Sequence, residues 1–372
     1  MAHARWRDNW IAWRNRLLAD PRFHRWALDF RLTRPVANRN IEQLFDLVAG
    51  FVYSQTLSAC VRLGLLEILA KGPRTTESIA AAVDLPLESA ERLLGAAEAL
   101  DLVERAGPGR HALGQRGAAL IGNPGLIEMI THHEHLYHDL AASVGMLRCG
   151  GGGGRLAAYW PYATAVAPRE ACDDRVRNYS ALMAATNPTV AADILDAYPV
   201  ERHARLMDVG GGDGAFLAAA GARVPGLRLM LYDLPAVAHR ARARLACAGL
   251  SDRTEIVGGD FLSEPLPSGA DLITLVRILH DHDDEGVLRV LRAARAVLPS
   301  NGALLVAEPM SSAPKADRIA DVYFAFYLLA MGRGRARTPA EIMDLMYVAG
   351  FRRTRPVRTR TPILLRAIVA RP

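Results

Sequence analysis

Asp208-Val209-Gly210-Gly211-Gly212-Asp213-Gly214 is the stretch whose reading decides the fold. It follows a short apolar run, LMDVG (206–210), and opens GAFLAAAGARV (214–224), whose small and apolar residues suit a helix. Strand, glycine turn and helix in that order predict a ligand-binding crossover, because glycines allow a tight turn and bring backbone N–H groups close to a ligand at a helix start. The pattern repeats outward from there. LRLMLYDL (227–234) reads as a strand and AVAHRARARLACAGL (236–250) as a helix, followed by TEIVGGDF (254–261) and ADLITLVRIL (270–279) as strands. EGVLRVLRAARAVL (285–298) is again helical, GALLVAEPM (302–310) is a strand, and RPVRTRTPILLRAIVARP (355–372) supplies a last strand pair. Such alternation predicts a mostly parallel sheet covered by helices.

Three strand ends along the carboxyl edge of that sheet carry the candidate site, as open α/β sheets require. The first is the loop with Gly210, Gly211 and Gly212. Asp233 ends the next strand, about twenty residues on, where a carboxylate accepts hydrogen bonds from a ribose diol. Gly259-Asp260-Phe261 ends the third, with Asp260 placed for an exocyclic amine and Phe261 for the face of a purine. The glycines follow G-x-G-x-G rather than the G-x-G-x-x-G of dinucleotide sites. The shorter loop suits an adenosine ligand without a pyrophosphate and disfavours a nicotinamide oxidoreductase.

The first half reads as helical. Residues 41–70 carry apolar residues at helical spacing with Gly72-Pro73 as a stop, and Thr75 caps a helix with an acidic first turn. Glu88–Leu100 and two short strands around Gly107-Pro108-Gly109 complete a winged-helix outline. Nucleic-acid binding is disfavoured: the presumed recognition helix sets Glu88, Glu91 and Glu98 against Arg92 alone. Net charge over the 372 residues is +6, concentrated at the ends. The start mixes Arg5, Arg7, Arg14, Arg16, Arg22 and Arg25 with Trp6, Trp10, Trp13 and Trp26. That pattern reads either as an amphipathic surface for an anionic membrane or as a solvated face whose tryptophans pack on the rest of the chain. Gly150–Gly154 reads as a flexible connector. Scattered Cys60, Cys149, Cys172 and Cys247, with no signal-like start and no run of about 18 apolar residues, predict a cytoplasmic protein without disulfides. His132, His133, His135 and His138 fail the H-E-x-x-H spacing, so no metal site is expected.

DVGGGDG together with YDLP (232–235), GGDF (258–261) and RILHDHDDE (277–285) resembles the plant-type (class II) O-methyltransferases over most of the chain. The resemblance implies a Rossmann-like class I methyltransferase domain with a mostly parallel seven-stranded sheet, preceded by a mainly α-helical dimerisation domain of winged-helix type. The expected divisions are a basic extension at 1–40, a dimerisation and substrate-capping domain at 41–180 and a catalytic domain at 181–372. It implies a homodimer that uses S-adenosylmethionine, releases S-adenosylhomocysteine and needs no metal. Residue by residue, Gly210, Gly211, Gly212, Asp233, Gly259, Asp260, Phe261 and Arg277 fall on cofactor positions. His280 falls on the catalytic base with Glu308 as its partner, and Tyr179 and Met183 fall beside the methyl group and substrate. Two positions depart from the family pattern: His282 stands where Trp is usual, and Ala336 stands where a second acid, in a G-x-E-R-T segment, orients the histidine.

WRDNWIAWRNRLLADPRFHRWALDFRLTRPVANRN (6–40), FDLVAGFVYSQTL (45–57) and HHEHLYHDL (132–140) are similar to the carotenoid-methylating branch of that family in purple photosynthetic bacteria. This implies an apolar hydroxylated carotenoid as substrate, methylated on a tertiary 1-hydroxyl, and peripheral contact with the photosynthetic membrane. A phenolic or polyketide hydroxyl is the alternative acceptor, and a non-catalytic winged-helix regulator is a further one.

Overall fold

The computed structural model describes residues 2–159, 189–311, 319–362 and 365–372. The chain divides into two compact units, Met1–Ile121 and Gly122–Pro372.

The first unit is helical with a small wing. Helices Ala2–Ala19, Pro21–Asp29 and Arg34–Arg62 lead into Leu65–Ala70. The sequence reading ran one helix across 41–70; the chain instead breaks at Leu63–Gly64, where Gly64 takes a left-handed conformation that ends one helix and starts the next. Helices Thr76–Ala82 and Leu87–Ala99 follow, the former capped by Thr75 as expected. Strands β1 (Arg74–Thr75), β2 (Val103–Arg105) and β3 (Arg110–Leu113) form an antiparallel sheet in the order β1-β3-β2. The acidity of Leu87–Ala99 is partly consumed inside the unit. Glu98 accepts from His111 Nδ1 at 2.8 Å and from Arg105 at 3.0 Å, and Glu88 pairs with Arg92. Among the described residues the tryptophans at the start are largely exposed: Trp6 is 70% exposed, Trp13 55% and Trp26 52%, with Trp26 stacked on Phe30 and tilted against Phe23. Leu44, Phe45, Leu47, Val48 and Phe51 expose a further apolar stretch on Arg34–Arg62.

The second unit holds a seven-stranded sheet in the order β6-β5-β4-β7-β8-β10-β9. The strands are β4 (Arg205–Val209), β5 (Arg228–Asp233), β6 (Thr254–Gly258), β7 (Leu272–Val276), β8 (Ala303–Glu308), β9 (Arg353–Val357) and β10 (Arg366–Arg371). β4 to β8 are mutually parallel, and β10 runs antiparallel to both β8 and β9. This is the mostly parallel sheet expected. Alternate side chains enter opposite faces, so both faces need cover. Leu206, Leu229, Leu231, Leu272 and Leu305 pack on one side with Phe216, Leu217, Ala241 and Leu245. Met207, Met230, Ile273, Leu275 and Leu304 pack on the other with Val287, Leu291, Ile342 and Met346. A separate cluster joins Leu136, Met146 and Leu156 to Tyr327, Leu328 and Met331.

The glycine run is not a loose connector. Gly152 N donates to Leu329 O at 3.0 Å, and a Cβ on Gly151 would overlap that same carbonyl oxygen. Glycine is required because two backbones meet there without room for a side chain.

Candidate functional site

The loop after β4 makes a tight turn with Gly210, Gly212 and Gly214 all at positive φ. Gly210 N donates to Tyr232 O at 2.8 Å, and a Cβ on Gly211 would come within 2.7 Å of the Asp208 carboxyl. On Gly212 a Cβ would meet nothing within 4 Å, so the loop is open on that side. Asp208 is buried beneath the turn and accepts from Thr274 Oγ1 at 2.6 Å. Burial pushes its pKa up to about 7, against the lowering effect of the Thr274 bond.

Asp233 closes the turn from β5. Its Oδ2 accepts from Gly212 N at 2.8 Å and its Oδ1 from Leu234 N at 2.7 Å. Burial raises its pKa to about 6, and the two backbone donors oppose that rise. Each oxygen keeps a further lone pair for a diol. At the end of β6, a Cβ on Gly259 would overlap the hydroxyl of Tyr232, which has no hydrogen-bond partner among the described residues. Asp260 organises its own turn, accepting from Leu262 N at 2.9 Å and Ser263 Oγ at 3.0 Å. Phe261 stands edge-on to His282, ring centroids 5.5 Å apart. Phe261 and His282 therefore share a wall at this edge.

β7 and β8 bring the second half of the site together. They pair in parallel with Val276 beside Ala307, so the turn after β7 lies next to Glu308 at the end of β8. Arg277 takes a left-handed conformation, φ 59°, while its N–H donates to Ala307 O at 2.8 Å. A non-glycine residue held there stores strain that the surrounding structure must enforce. His280 follows in a 3₁₀ turn, Leu279–Asp281, and is buried. Glu308 is completely buried. Its Oε2 accepts from His280 N at 3.2 Å and lies 3.5 Å from His280 Nδ1, within ion-pair range. On the other side Nε2 lies 3.2 Å from Asp281 Oδ1. Burial pulls the imidazole's pKa down, but the Asp281 and Glu308 carboxylates outweigh it and hold the group above its ordinary value; Arg277 works against them. The following helix, Asp284–Val297, is capped by Asp283.

Tyr179 and Met183 lie outside the described residues. The remaining expected residues all stand at the carboxyl ends of β4, β5, β6, β7 and β8. Sequence reasoning missed three groups. Asp281 sits beside the His280 ring, which the sequence motif alone does not show. Tyr323 accompanies His280 through Phe324, with Tyr323 and Phe324 ring centroids 5.0 Å apart and Phe324 and His280 6.3 Å. Arg337, wholly buried, holds the backbone on both sides of His280. Its place in the G-x-x-R-T segment was the available signal, but only burial reveals its role. Among the described residues no group of His, Cys, Asp and Glu is placed to hold a metal ion.

Comparisons with known proteins point to one family. An O-methyltransferase domain matches residues 137–352 and an O-methyltransferase dimerisation domain matches residues 45–121. The demethylspheroidene O-methyltransferase of Cereibacter sphaeroides is 45% identical over 337 residues, covering 90% of this chain and 88% of that protein. Its counterpart in Rhodobacter capsulatus is 40% identical, covering 95% and 88%. Among solved structures, the SAH-bound methyltransferase CalO1 of calicheamicin biosynthesis superposes with a TM-score of 0.74 at 29% identity, covering 90% of this chain and 98% of that one.

Proposed function

The chain belongs to the S-adenosylmethionine-dependent O-methyltransferase family, and from that membership we propose that it methylates the tertiary 1-hydroxyl of an acyclic carotenoid, with His280 as the base. The substrate rests on one observation: 45% identity to a demethylspheroidene O-methyltransferase across 90% of the chain, well beyond the shared cofactor motifs. The base rests on another, the buried imidazole held between two carboxylates at the edge where β4, β5 and β6 end.

The residues present fit the cofactor. The turn at Gly210–Gly214 is open on its Gly212 side, and Asp233 at the next strand end keeps acceptor capacity. Gly210, Gly211 and Gly212 would face the cofactor with backbone, Asp233 would hold its ribose, Asp260 and Phe261 its adenine, and Gly259 and Arg277 would complete the wall. When bound, S-adenosylmethionine supplies a methyl group on a sulfonium whose charge is lost on transfer.

The protein's own work is positioning and proton acceptance. The hydroxyl oxygen must be held about 3–3.5 Å from the methyl carbon and in line. Tyr179 and Met183 are assigned to that wall by their place in the family pattern. His280 accepts the hydroxyl proton, and the carboxylates of Glu308, beside Nδ1, and Asp281, beside Nε2, stabilise the imidazolium. A tertiary alcohol is too weak an acid to ionise beforehand, so the proton leaves with or after methyl transfer. Positioning then carries most of the rate, and Ala336 in place of an acid is tolerable.

The chain acts as a homodimer, supported by the dimerisation-domain match and the exposed apolar face of Arg34–Arg62 within and beside it. It works in the cytoplasm at the membrane that holds its substrate, docking through the arginines and exposed tryptophans of residues 5–26.

The test is incubation with methyl-labelled S-adenosylmethionine and a panel of 1-hydroxylated acyclic carotenoids and simple phenols. Label is expected on the carotenoids; transfer to phenols alone would replace the substrate assignment and leave the chemistry intact. Removing residues 1–30 is expected to weaken partitioning onto anionic vesicles, and unchanged partitioning would end the docking role.

A further inference from the structure

Ala336 leaves the histidine without the second acid that the family pattern places there, yet the segment around it is densely hydrogen-bonded. Arg337 Nη1 donates to Leu279 O and Nη2 to His282 O, each at 2.8 Å. Nε and Nη2 both reach Asp284 Oδ1, at 2.8 and 2.6 Å. The two carbonyls bracket His280 and Asp281, so one planar guanidinium spans the turn that carries both. Arg337 is wholly buried, whereas its carboxylate partner Asp284 is about half exposed. A buried cation is a poor way to gain stability, since apolar residues of similar volume often do as well. It is a good way to fix backbone geometry, because the guanidinium fork is rigid.

The segment is itself anchored. Arg337 O accepts from Ser311 N at 2.9 Å, just beyond Glu308 on the same stretch. Thr338 caps the next helix in a reciprocal capping box with Glu341, and Arg335 bridges Glu341 and Asp284. Gly334 presses on the His280 carbonyl so closely that a Cβ there would overlap it. Residues 334–338 thus tie the histidine turn to the end of β8, which carries the imidazole's carboxylate partner.

We propose that Arg337 is a positioning residue for methyl transfer: by clamping the backbone on both sides of His280 it sets the distance from the imidazole to Glu308 and its aim at the acceptor hydroxyl. The role rests on the reading of His280 as the base. The family pattern G-x-E-R-T holds the same arginine beside its acid; with Ala336 in the acid's place, this chain keeps only the main-chain clamp.

The experiment is a double-mutant cycle on the full-length protein, with labelled methyl transfer from S-adenosylmethionine to a 1-hydroxylated acyclic carotenoid as the assay. Arg337→Gln is expected to lower kcat about 10–100-fold, with KM for S-adenosylmethionine changed by less than about threefold. In a His280→Ala background the same change is expected to cost less than about twofold, because the group it positions is gone. An equal loss in both backgrounds, or no loss in either, overturns the proposal. Should Arg337→Gln fail to fold, Asp284→Asn takes its place, leaving the bonds to the carbonyls and withdrawing the exposed anchor; a smaller loss confined to the His280 background supports the clamp, and an equal one overturns it. A His280→Ala protein with full turnover would remove the base itself and the clamp with it. A crippled His280→Ala protein beside an unimpaired Arg337→Gln protein removes the clamp alone.

Discussion

His132 and His133 on the one hand and His280 on the other, all within Gly122–Pro372, are driven in opposite directions. On helix Pro124–Leu140, His132 Nε2 pairs with the Tyr327 hydroxyl at 2.8 Å and His133 Nε2 with the Tyr323 hydroxyl at 2.7 Å. Burial pushes these imidazoles down, to about 3 and about 4, helped at His132 by the neighbouring His133 and His135. His280 is buried as well, but Asp281 and Glu308 flank its ring and the net shift is upward. Burial alone makes a histidine an inert neutral hydrogen-bonding group. Burial beside two carboxylates makes it a base whose protonated form is stabilised.

The largest effect that tests this contrast is loss of the proposed base. His280→Ala is expected to lower kcat about 10²–10⁴-fold in labelled methyl transfer, with cofactor binding retained by calorimetry. Glu308→Gln comes next. It keeps the shape, withdraws the wholly buried carboxylate, and is expected to lower kcat about 10–100-fold. The pH profile carries the sign: with a carboxylate removed the imidazole's pKa falls, so the acid limb of kcat moves to lower pH while the plateau drops. A limb that stays in place would detach Glu308 from the base. Asp281→Asn shifts the limb the same way with a smaller loss, about 3–10-fold, because its carboxylate is partly open to solvent.

The smallest effect concerns stability rather than turnover. His132 and His133 are neutral when folded, so unfolding takes up protons between their folded values and the ordinary 6.5. Stability is full above pH 6.5 and declines as pH falls toward 4. His133→Gln, which retains a donor for Tyr323, is expected to make the fall in Tm between pH 6.5 and 4.5 shallower. His280 runs the other way: its raised folded pKa contributes stability that is present below its unfolded value and lost as pH rises through the folded one. An unchanged acid slope in His133→Gln would mean that this histidine is already protonated when folded.

The amino-acid sequence determined the parallel sheet, the glycine turn after β4, and Asp233 and Asp260 at successive strand ends, because alternation, turn chemistry and loop spacing are local properties. It also marked His280, through the Leu279-His280-Asp281 run. Tertiary structure decided what those residues face. Glu308 meets His280 only because β7 and β8 are parallel neighbours, and Asp281 meets it only because a 3₁₀ turn folds the side chain back. The glycine run at 150–154 looked like a loose connector, since nothing local shows that another backbone, at Leu329, fills the space a side chain would need. The first helical stretch looked continuous because apolar periodicity runs across Gly64, and only the left-handed turn there separates the two helices. Arg337 is part of a short motif in the sequence, and only topology supplies the two carbonyls and the carboxylate around it. Spacing along the chain fixes periodicity and turns, whereas pairings between residues far apart in the chain exist only once the sheet order has set which strand ends are neighbours.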